Sequence, residues 1–264
     1  MFRFCSLVSG SSGNCLLVQD DSTKILVDCG VSGKNTAQLL KEIGVDINAI
    51  DAVLVTHEHS DHVSGIGVIS RKYGIPIYAN QKTWNAMPRS IGAIRDENRR
   101  IVEMNRDFSI LSLQIKAFPT PHDAACPCGY NICSNGKKLT IATDLGHLDH
   151  ALLSNFEQSD FAFIEANHDV EMLIHGTYPD QLKRRILSDF GHLSNQSAGD
   201  LASSLVQNGT KNIMLGHLSN ENNLPQLAYE TVLQAFAFAG IKAGKDVLLS
   251  VAQRYCPSQM VQLA

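Results

Sequence analysis

One seven-residue segment constrains this chain more than any other part of its sequence: Thr56-His57-Glu58-His59-Ser60-Asp61-His62. It directly follows the apolar run of residues 52–55, which is typical of a buried strand. Imidazole nitrogens and carboxylates bind Zn²⁺, Mn²⁺ or Fe²⁺, and a loop at a strand end lets closely spaced side chains turn towards an ion. The segment therefore predicts a metal site, in preference to a loop of solvated histidines.

Five further polar residues stand at or just beyond the ends of apolar runs: Asp28, His122, Asp144, Glu165 and His217. In layered α/β proteins, functional side chains collect outside the carboxyl ends of the strands. We therefore expect these residues to gather around the same cleft as the histidine-rich segment. The candidate ligands offer only nitrogen and oxygen atoms, which leaves the identity of the metal open among Zn, Mn and Fe.

Composition narrows the class of protein. The chain has 264 residues, of which 44% are hydrophobic and 18% charged, and its formal net charge is −4. These values are ordinary for a globular protein, and we predict a single domain over residues 1–264. Apolar runs are too short for a membrane span, and the first residues lack the pattern of a signal peptide. We therefore expect a cytoplasmic protein.

Hydrophobic periodicity predicts the secondary structure. We expect strands at residues 2–8, 15–19, 24–28, 52–56, 76–79, 112–118, 139–143, 161–165, 212–216 and 246–250. Helices are predicted at residues 36–43, 62–73, 179–190, 197–207 and 224–238. The strands come first as hairpins and later alternate with helices, which indicates a mixed α/β layered architecture.

The chemistry-bearing residues resemble, in order, the five motifs of the metallo-β-lactamase-fold hydrolases: Asp28, the His57-x-His59-x-Asp61-His62 run, His122, Asp144 and His217. Within that superfamily, residues 9–14, 165–169 and 191–195 are similar to the bacterial YycJ (WalJ) subgroup, whose members are regarded as DNA exonucleases. The resemblance implies a four-layer αββα sandwich. It also implies a site for two divalent metal ions at the top of the two sheets.

The resemblance further implies seven metal ligands: His57, His59 and His122 for one ion, Asp61, His62 and His217 for the other, and Asp144 bridging both. Asp61 also belongs to the catalytic centre that the resemblance implies. Asp28 is more consistent with orienting a ligand than with binding an ion itself. Two ions close together can hold a bridging hydroxide and bind a phosphate during its displacement.

A pentapeptide, Gly-His-Leu-Ser-Asn, occurs at residues 191–195 and again at 216–220. His217 ends an apolar run as the other ligands do, whereas His192 precedes a helix-like stretch. By resemblance, His192 is not a ligand but stabilises the charge of the transition state or protonates the leaving oxygen, with Glu165 holding its ring. The plainer alternative is a histidine that donates to a turn carbonyl.

The sequence allows two interpretations of the glycine-containing loop at residues 9–14, and two of the clustered basic residues. The loop at residues 9–14 could present backbone N–H groups to a phosphate, or form a tight hairpin that needs glycine for positive φ. Arginines between residues 89 and 106, together with residues 183–185, could line a groove for a nucleic-acid backbone or form a solvated face.

Three functions follow from these features. The favoured one is a metal-dependent phosphodiesterase, a nuclease with DNA as the favoured substrate. A hydrolase of the same fold acting on a small thioester, lactam or lactone is the alternative. A non-catalytic binding or regulatory protein is disfavoured, because such a protein would not need an open site for two metals.

Overall fold

The structure is a computed structural model and describes residues 1–263. Its strands coincide for the most part with runs of buried apolar residues. In chain order they are β1 (Phe2–Val8), β2 (Cys15–Gln19), β3 (Lys24–Val27), β4 (Ala52–Leu54), β5 (Ile77–Ala79), β6 (Arg99–Ile101), β7 (Asp107–Ile110), β8 (Leu113–Pro119), β9 (Cys128–Ser134), β10 (Lys137–Ala142), β11 (Phe161–Glu165), β12 (Asn212–Gly216), β13 (Leu248–Val251) and β14 (Val261–Leu263).

The helices differ in how they begin, and several of them start next to a capping side chain. They are α1 (Gly33–Glu42), α2 (Ser60–Val63), α3 (Ile66–Tyr73), α4 (Gln81–Ala86), α5 (His150–Ser154), α6 (Val170–His175), α7 (Asp180–Ile186), α8 (Asn195–Gln207) and α9 (Pro225–Phe238). Five of them have an N-cap side chain that accepts a hydrogen bond from a backbone N–H of the first turn: Ser32, Asn80, Asp149, Asp169 and Ser194. Such caps satisfy N–H groups that the helix itself cannot.

The chain forms two units, of which the first comprises Met1–Pro119, Ala124–Lys137 and the chain from Gln253 onward. It holds a sheet of order β14-β1-β2-β3-β4-β5-β6, antiparallel as far as β3 and parallel from β3 to β6. Strands β7, β8 and β9 pair antiparallel in the same unit. Its core includes the fully buried Leu17, Leu26 and Val53.

The second unit comprises Thr120–Asp123 and Lys138–Ala252. Its strands β10, β11, β12 and β13 pair in that order, and every pair is parallel. Apolar side chains of the strands and of α8 and α9 are buried, among them Phe163, Leu201 and Phe236. Because parallel strands end at one edge, residues that follow β10, β11 and β12 are brought close together.

Each strand and helix predicted from the sequence overlaps an observed element, but several boundaries differ. The predicted helix 62–73 is interrupted, because the N–H of Gly65 donates to Cys29 O (2.8 Å) and the carbonyl of Asp61 accepts from Asn14 N (2.8 Å). The predicted helix 179–190 ends at Ile186, whose carbonyl accepts from His192 N (3.0 Å). The prediction of one domain over residues 1–264 stays a prediction, and its last residue lies outside the described residues.

Gly30 lets two segments of the first unit approach each other more closely than any side chain would allow. A Cβ atom at Gly30 would lie 1.6 Å from the backbone oxygen of Asp61. That oxygen accepts from Asn14 N, and Gly30 N donates to Asn14 O, each at 2.8 Å. The close approach therefore fixes the backbone of the histidine-rich segment against β2 and β3.

We expect Gly30→Ala to lower the free energy of unfolding by about 3 kcal/mol or more, because the clash involves backbone that cannot move without breaking these hydrogen bonds. Gly74→Ala is the control: Gly74 has a φ of 71° with open space around it, so its replacement should cost only about 1–2 kcal/mol. Urea denaturation measures both. Equal destabilisation by the two substitutions would contradict this account of the segment.

Candidate metal centre

In the first unit, the candidate residues follow two neighbouring parallel strands. Asp28 comes directly after β3, and Thr56 and His57 come shortly after β4, which pairs with β3. Asp28 N donates to Leu54 O (2.8 Å), so the two strand ends are joined beyond the regular ladder. The neighbouring strands thus bring Asp28 to the start of the histidine-rich segment, as the sequence predicts.

The buried carboxylate of Asp28 organises this group. It accepts hydrogen bonds from Thr56 N (2.8 Å) and from the Thr56 hydroxyl (2.8 Å), and its Oδ2 lies 2.8 Å from His62 Nδ1. Asp28 therefore holds the ring of His62, which is the contact that an orienting role requires. The role of Thr56 could not be predicted from the sequence, since a hydroxyl at a strand end leaves no distinctive pattern.

The three histidines of the segment lie together. The ring centroids of His57 and His62 are 4.1 Å apart, and those of His57 and His59 are 4.6 Å apart. His57 and His62 are buried, whereas His59 and Asp61 are partly exposed. Asp61 Oδ2 lies 3.3 Å from His62 Nε2, so a carboxylate oxygen and an imidazole nitrogen stand side by side.

The loop at residues 9–14 connects β1 to β2 as a tight hairpin. Of the two interpretations that the sequence leaves open, the hairpin one included glycines with positive φ, but Gly10 and Gly13 are not among the residues with positive φ. A Cβ atom at Gly13 would lie 2.7 Å from Val31 Cγ1, so a larger residue there would force that side chain to shift. Asn14 Nδ2 lies 3.4 Å from Asp61 Oδ2 and 3.2 Å from His62 Nε2, a contact that the sequence analysis did not foresee.

In the second unit, the carboxylate of Glu165 occupies the centre of the candidate residues. Glu165 ends β11 and is completely buried. It accepts from three backbone N–H groups, those of Asp144 (3.2 Å), Leu145 (2.7 Å) and Leu193 (2.8 Å). One carboxylate thereby fixes the backbone of two loops that carry candidate residues.

Glu165 also contacts two imidazole rings. Its Oε2 lies 3.1 Å from His192 Nδ1 and 3.4 Å from His217 Nδ1. Burial alone would raise the pKa of Glu165, but the interaction with His192 and the hydrogen bonds of both histidines lower the pKa to about 2. The carboxylate is therefore ionised at neutral pH and available to hold both rings.

Asp144 lies close to two histidines of this unit, His217 and His122. Its Oδ1 is 3.4 Å from His217 Nε2 and 3.7 Å from His122 Nε2. Ligand atoms of Asp144, Glu165, His192 and His217 all lie within 4.8 Å of one another. The structure thus brings together every candidate residue that the sequence placed in this part of the chain.

Three candidate residues have a left-handed backbone. Asp28, Asp144 and His217 have φ values of 62°, 59° and 54°, and each closely follows the end of a parallel strand. Such a conformation costs about 1–3 kcal/mol for a residue other than glycine, and it persists where the surroundings fix it. The turns place these side chains at the ends of their strands, Asp28 in the first unit and Asp144 and His217 in the second, at the expense of backbone stability, which is typical of functional sites.

The hydrogen bonding of the histidines tests whether these residues suit a metal. Among the candidate ligands, four rings have Nδ1 beside a protein oxygen: His57 with Thr56 Oγ1 (3.0 Å), His62 with Asp28, His122 with Gly191 O (3.1 Å) and His217 with Glu165. Histidines that bind metals are usually held in this way, which leaves Nε2 for the ion. Burial lowers the pKa of His122, which favours the neutral ring that a ligand must be. The residues therefore fit divalent metal binding.

A family model described as the metallo-beta-lactamase superfamily matches residues 8–217. The exodeoxyribonuclease WalJ of Streptococcus pneumoniae is 42% identical over 247 residues, which cover 93% of this chain and 92% of the relative. The exodeoxyribonuclease YycJ of Bacillus anthracis is 42% identical over 243 residues, 92% of each chain. These matches extend over nearly the whole chain and include all the candidate residues.

A solved structure with a similar fold is that of Zn²⁺-bound PqqB from Methylobacterium extorquens, with a TM-score of 0.72 and 15% identity. The match covers 97% of this chain and 99% of the other. At this identity the likeness concerns the fold alone. Together with the family match, it confirms the predicted αββα fold class.

Helices long and apolar enough to span a bilayer are absent from residues 1–263.

We expect Asp28→Asn to destabilise the protein by about 2 kcal/mol or more, because an amide nitrogen cannot accept from the Thr56 hydroxyl or from His62 Nδ1–H. Asparagine tolerates the left-handed backbone, so the change tests the hydrogen bonds. Nitrogen-15 NMR should find His62 as the Nδ1–H tautomer in the wild type but not in the variant. Asp51→Asn is the control, since the Asp51 carboxylate accepts from Lys24 N (2.8 Å) and an amide oxygen can still accept this hydrogen bond. Unchanged stability and tautomer in Asp28→Asn would contradict the orienting role.

Proposed function

Because the chain belongs to the metallo-β-lactamase superfamily, and within it to the group that contains the WalJ and YycJ exodeoxyribonucleases, we propose that it is a metal-dependent exodeoxyribonuclease. The observation that carries the proposal is 42% identity over more than nine-tenths of the chain to two proteins with that name. The pair formed by the buried Glu165 and the partly exposed His192 supports the proposal, since the imidazole of His192 can give a proton to a leaving oxygen.

The proposed metal ligands are those that the resemblance implies: His57, His59 and His122 for one ion, Asp61, His62 and His217 for the second, and Asp144 for both. Their nitrogen and oxygen atoms are compatible with Zn²⁺, Mn²⁺ or Fe²⁺. When bound, two such ions supply Lewis-acid chemistry for hydrolysis of a phosphodiester. Asp61 is proposed as a catalytic residue because its carboxylate lies beside His62 Nε2 and is itself partly exposed, unlike the ring of His62.

His192 is proposed as the proton donor. Its side chain is 15% exposed, more than that of His217 at 2%, and it is held through Nδ1 by Glu165. Nε2 is then the ring atom that can give a proton to the leaving oxygen of the scissile phosphodiester. The ionised Glu165 stabilises the charged ring while the proton is present and keeps it in one orientation.

The proposal includes DNA as the substrate and the cytoplasm, where bacterial DNA lies, as the location. A direct test incubates the purified protein and Mn²⁺ with end-labelled DNA, with end-labelled RNA and with thioester and lactam compounds. Stepwise release of nucleotides from DNA, faster than from RNA, is the expected result. Rapid hydrolysis of a thioester or lactam with DNA left intact would instead assign the protein to the small-molecule hydrolases of this fold.

The twin pentapeptides should behave differently on substitution. We expect His217→Ala to lower the number of bound ions, measured by elemental analysis. His192→Ala should leave both ions in place and lower the rate of hydrolysis by about 10²–10⁴-fold, the usual contribution of a general acid. Equal loss of metal in both variants would mean that His192 is a ligand.

Arginines of the first unit are proposed to bind the DNA backbone. Arg99 and Arg100 are exposed and form no ion pair with another described residue, whereas Arg95 and Arg106 lie 3.4 Å and 2.7 Å from Glu97 and Glu103. The Arg99 guanidinium lies 4.7 Å from the centre of the Trp84 ring, and Arg100 Nη1 donates to Arg99 O (3.2 Å), but neither side chain has to leave a carboxylate before it binds a phosphate.

Each phosphate contact on duplex DNA contributes about 0.9 to the slope of log affinity against log salt concentration. We expect replacement of Arg99 and Arg100 by Gln to reduce that slope by about 2, while hydrolysis of a small chromogenic phosphodiester stays nearly unchanged. The same replacements at Arg95 and Arg106 should reduce it less. A slope that is identical in the wild type and in the Arg99/Arg100 variant would mean that these two arginines do not contact DNA phosphates.

A further inference from the structure

Residues 187–190 form an exposed segment of the second unit that the sequence assigned to a helix. The helix α7 ends at Ile186, and the four residues that follow it are exposed, including Leu187 at 49% and Phe190 at 58%. Phe190 is two residues from His192 in the chain. Single exposed apolar residues are common on protein surfaces, so a role for Phe190 has to be argued from its place in the chain and from the contacts of its backbone.

The backbone around Phe190 is fixed to the candidate residues on several sides. Phe190 O accepts from Asp123 N (3.2 Å), next to His122, and Gly191 O lies 3.1 Å from His122 Nδ1. His192 is held by Glu165. The aromatic residue is therefore carried on backbone that is tied to the site and does not lie on a free loop.

A second contact holds the same backbone from the loop that follows β10. Asp189 O lies 2.8 Å from His147 Nδ1. A Cβ atom at Gly146 would lie 2.1 Å from Asp189 O and 2.5 Å from Phe190 N, so glycine is needed for this approach. Gly146 is two residues from Asp144, and the packing therefore links the position of Phe190 to the loop that carries this candidate ligand.

Positive charge lies close by in the chain. Arg184, in the last turn of α7, is exposed and makes no ion pair within residues 1–263. Its neighbours are occupied: Lys183 Nζ donates to Ile174 O (2.7 Å), and Arg185 donates to the carboxylate of Asp123. A guanidinium without a carboxylate partner suits a phosphate next to a base that stacks on an aromatic ring.

We propose that Phe190 is a specificity-determining residue, on whose ring a nucleobase at the attacked end of the DNA stacks. This inference rests on the proposed exodeoxyribonuclease function. Stacking on an aromatic ring is tolerant of base identity, since every base has a π-face, and it suits an enzyme that removes nucleotides in succession. It also gives DNA an advantage over substrates that offer only a scissile bond.

The test compares three DNA substrates that differ only in the bases at the attacked end. One oligonucleotide carries ordinary bases, and the others carry an abasic residue at the first or second position from that end. Four proteins are compared: the wild type, Phe190→Ala, Phe190→Trp and Phe238→Ala. Phe238 is the control, because it is 94% exposed in the same unit but lies in α9, far along the chain from His192.

With ordinary DNA we expect Phe190→Ala to raise KM and to lower kcat/KM by about 5- to 150-fold, the usual range for loss of one stacked base. With one of the abasic substrates, the kcat/KM of the wild type should fall to the value that Phe190→Ala has with ordinary DNA. On that substrate the wild type and Phe190→Ala should have the same kcat/KM. Phe190→Trp should restore the preference for ordinary DNA, and Phe238→Ala should behave as the wild type does. Melting temperatures should be unchanged, since the ring is at the surface.

Different results would overturn the inference in distinguishable ways. If Phe190→Ala lowers cleavage of ordinary and abasic DNA equally, or changes neither, the ring does not stack on a base, although the enzyme is still a nuclease. If the wild type neither binds nor cleaves any of the oligonucleotides, the proposed function itself is wrong, and this inference with it.

Discussion

The burial of one carboxylate in each unit is the interaction on which the candidate site depends. Asp28 is surrounded by Thr56 and His62, and Glu165 by three backbone N–H groups and two histidines. A buried charge is tolerated only where hydrogen bonds satisfy it, so each carboxylate determines the positions of its donors. Those donors include the rings and loops that carry the candidate ligands. In each unit the carboxylate thus fixes the orientation of the imidazole rings around it.

The same arrangement explains the strained backbone at the strand ends. Parallel strands deliver Asp28, Asp144 and His217 to a sheet edge, but only a left-handed turn places each of them there. Hydrogen bonds to the buried carboxylates and the close approach at Gly30 offset the cost of these turns. The same contacts therefore stabilise the fold and position the candidate ligands. Substitutions of the residues that hold the ligands, such as Asp28 or Glu165, should affect both.

Much of this could be predicted from the sequence, because strands buried on both faces leave apolar runs and functional residues follow them. Strand β6 was missed, since its three exposed residues pair with β5 and carry no apolar pattern of their own. The end of α7 was also missed, because it depends on a hydrogen bond from His192 to Ile186. The role of Thr56 follows from its hydrogen bonds to Asp28, and that of Phe190 from its exposure and its backbone contacts, none of which the sequence indicates.

The measurement that tests the central claim most directly is a titration of the metal-free protein with Mn²⁺, with bound ions and phosphodiester hydrolysis followed together. The account predicts that hydrolysis reaches its maximum only when two ions are bound per chain. Full hydrolysis by protein that has bound one ion or none would contradict it.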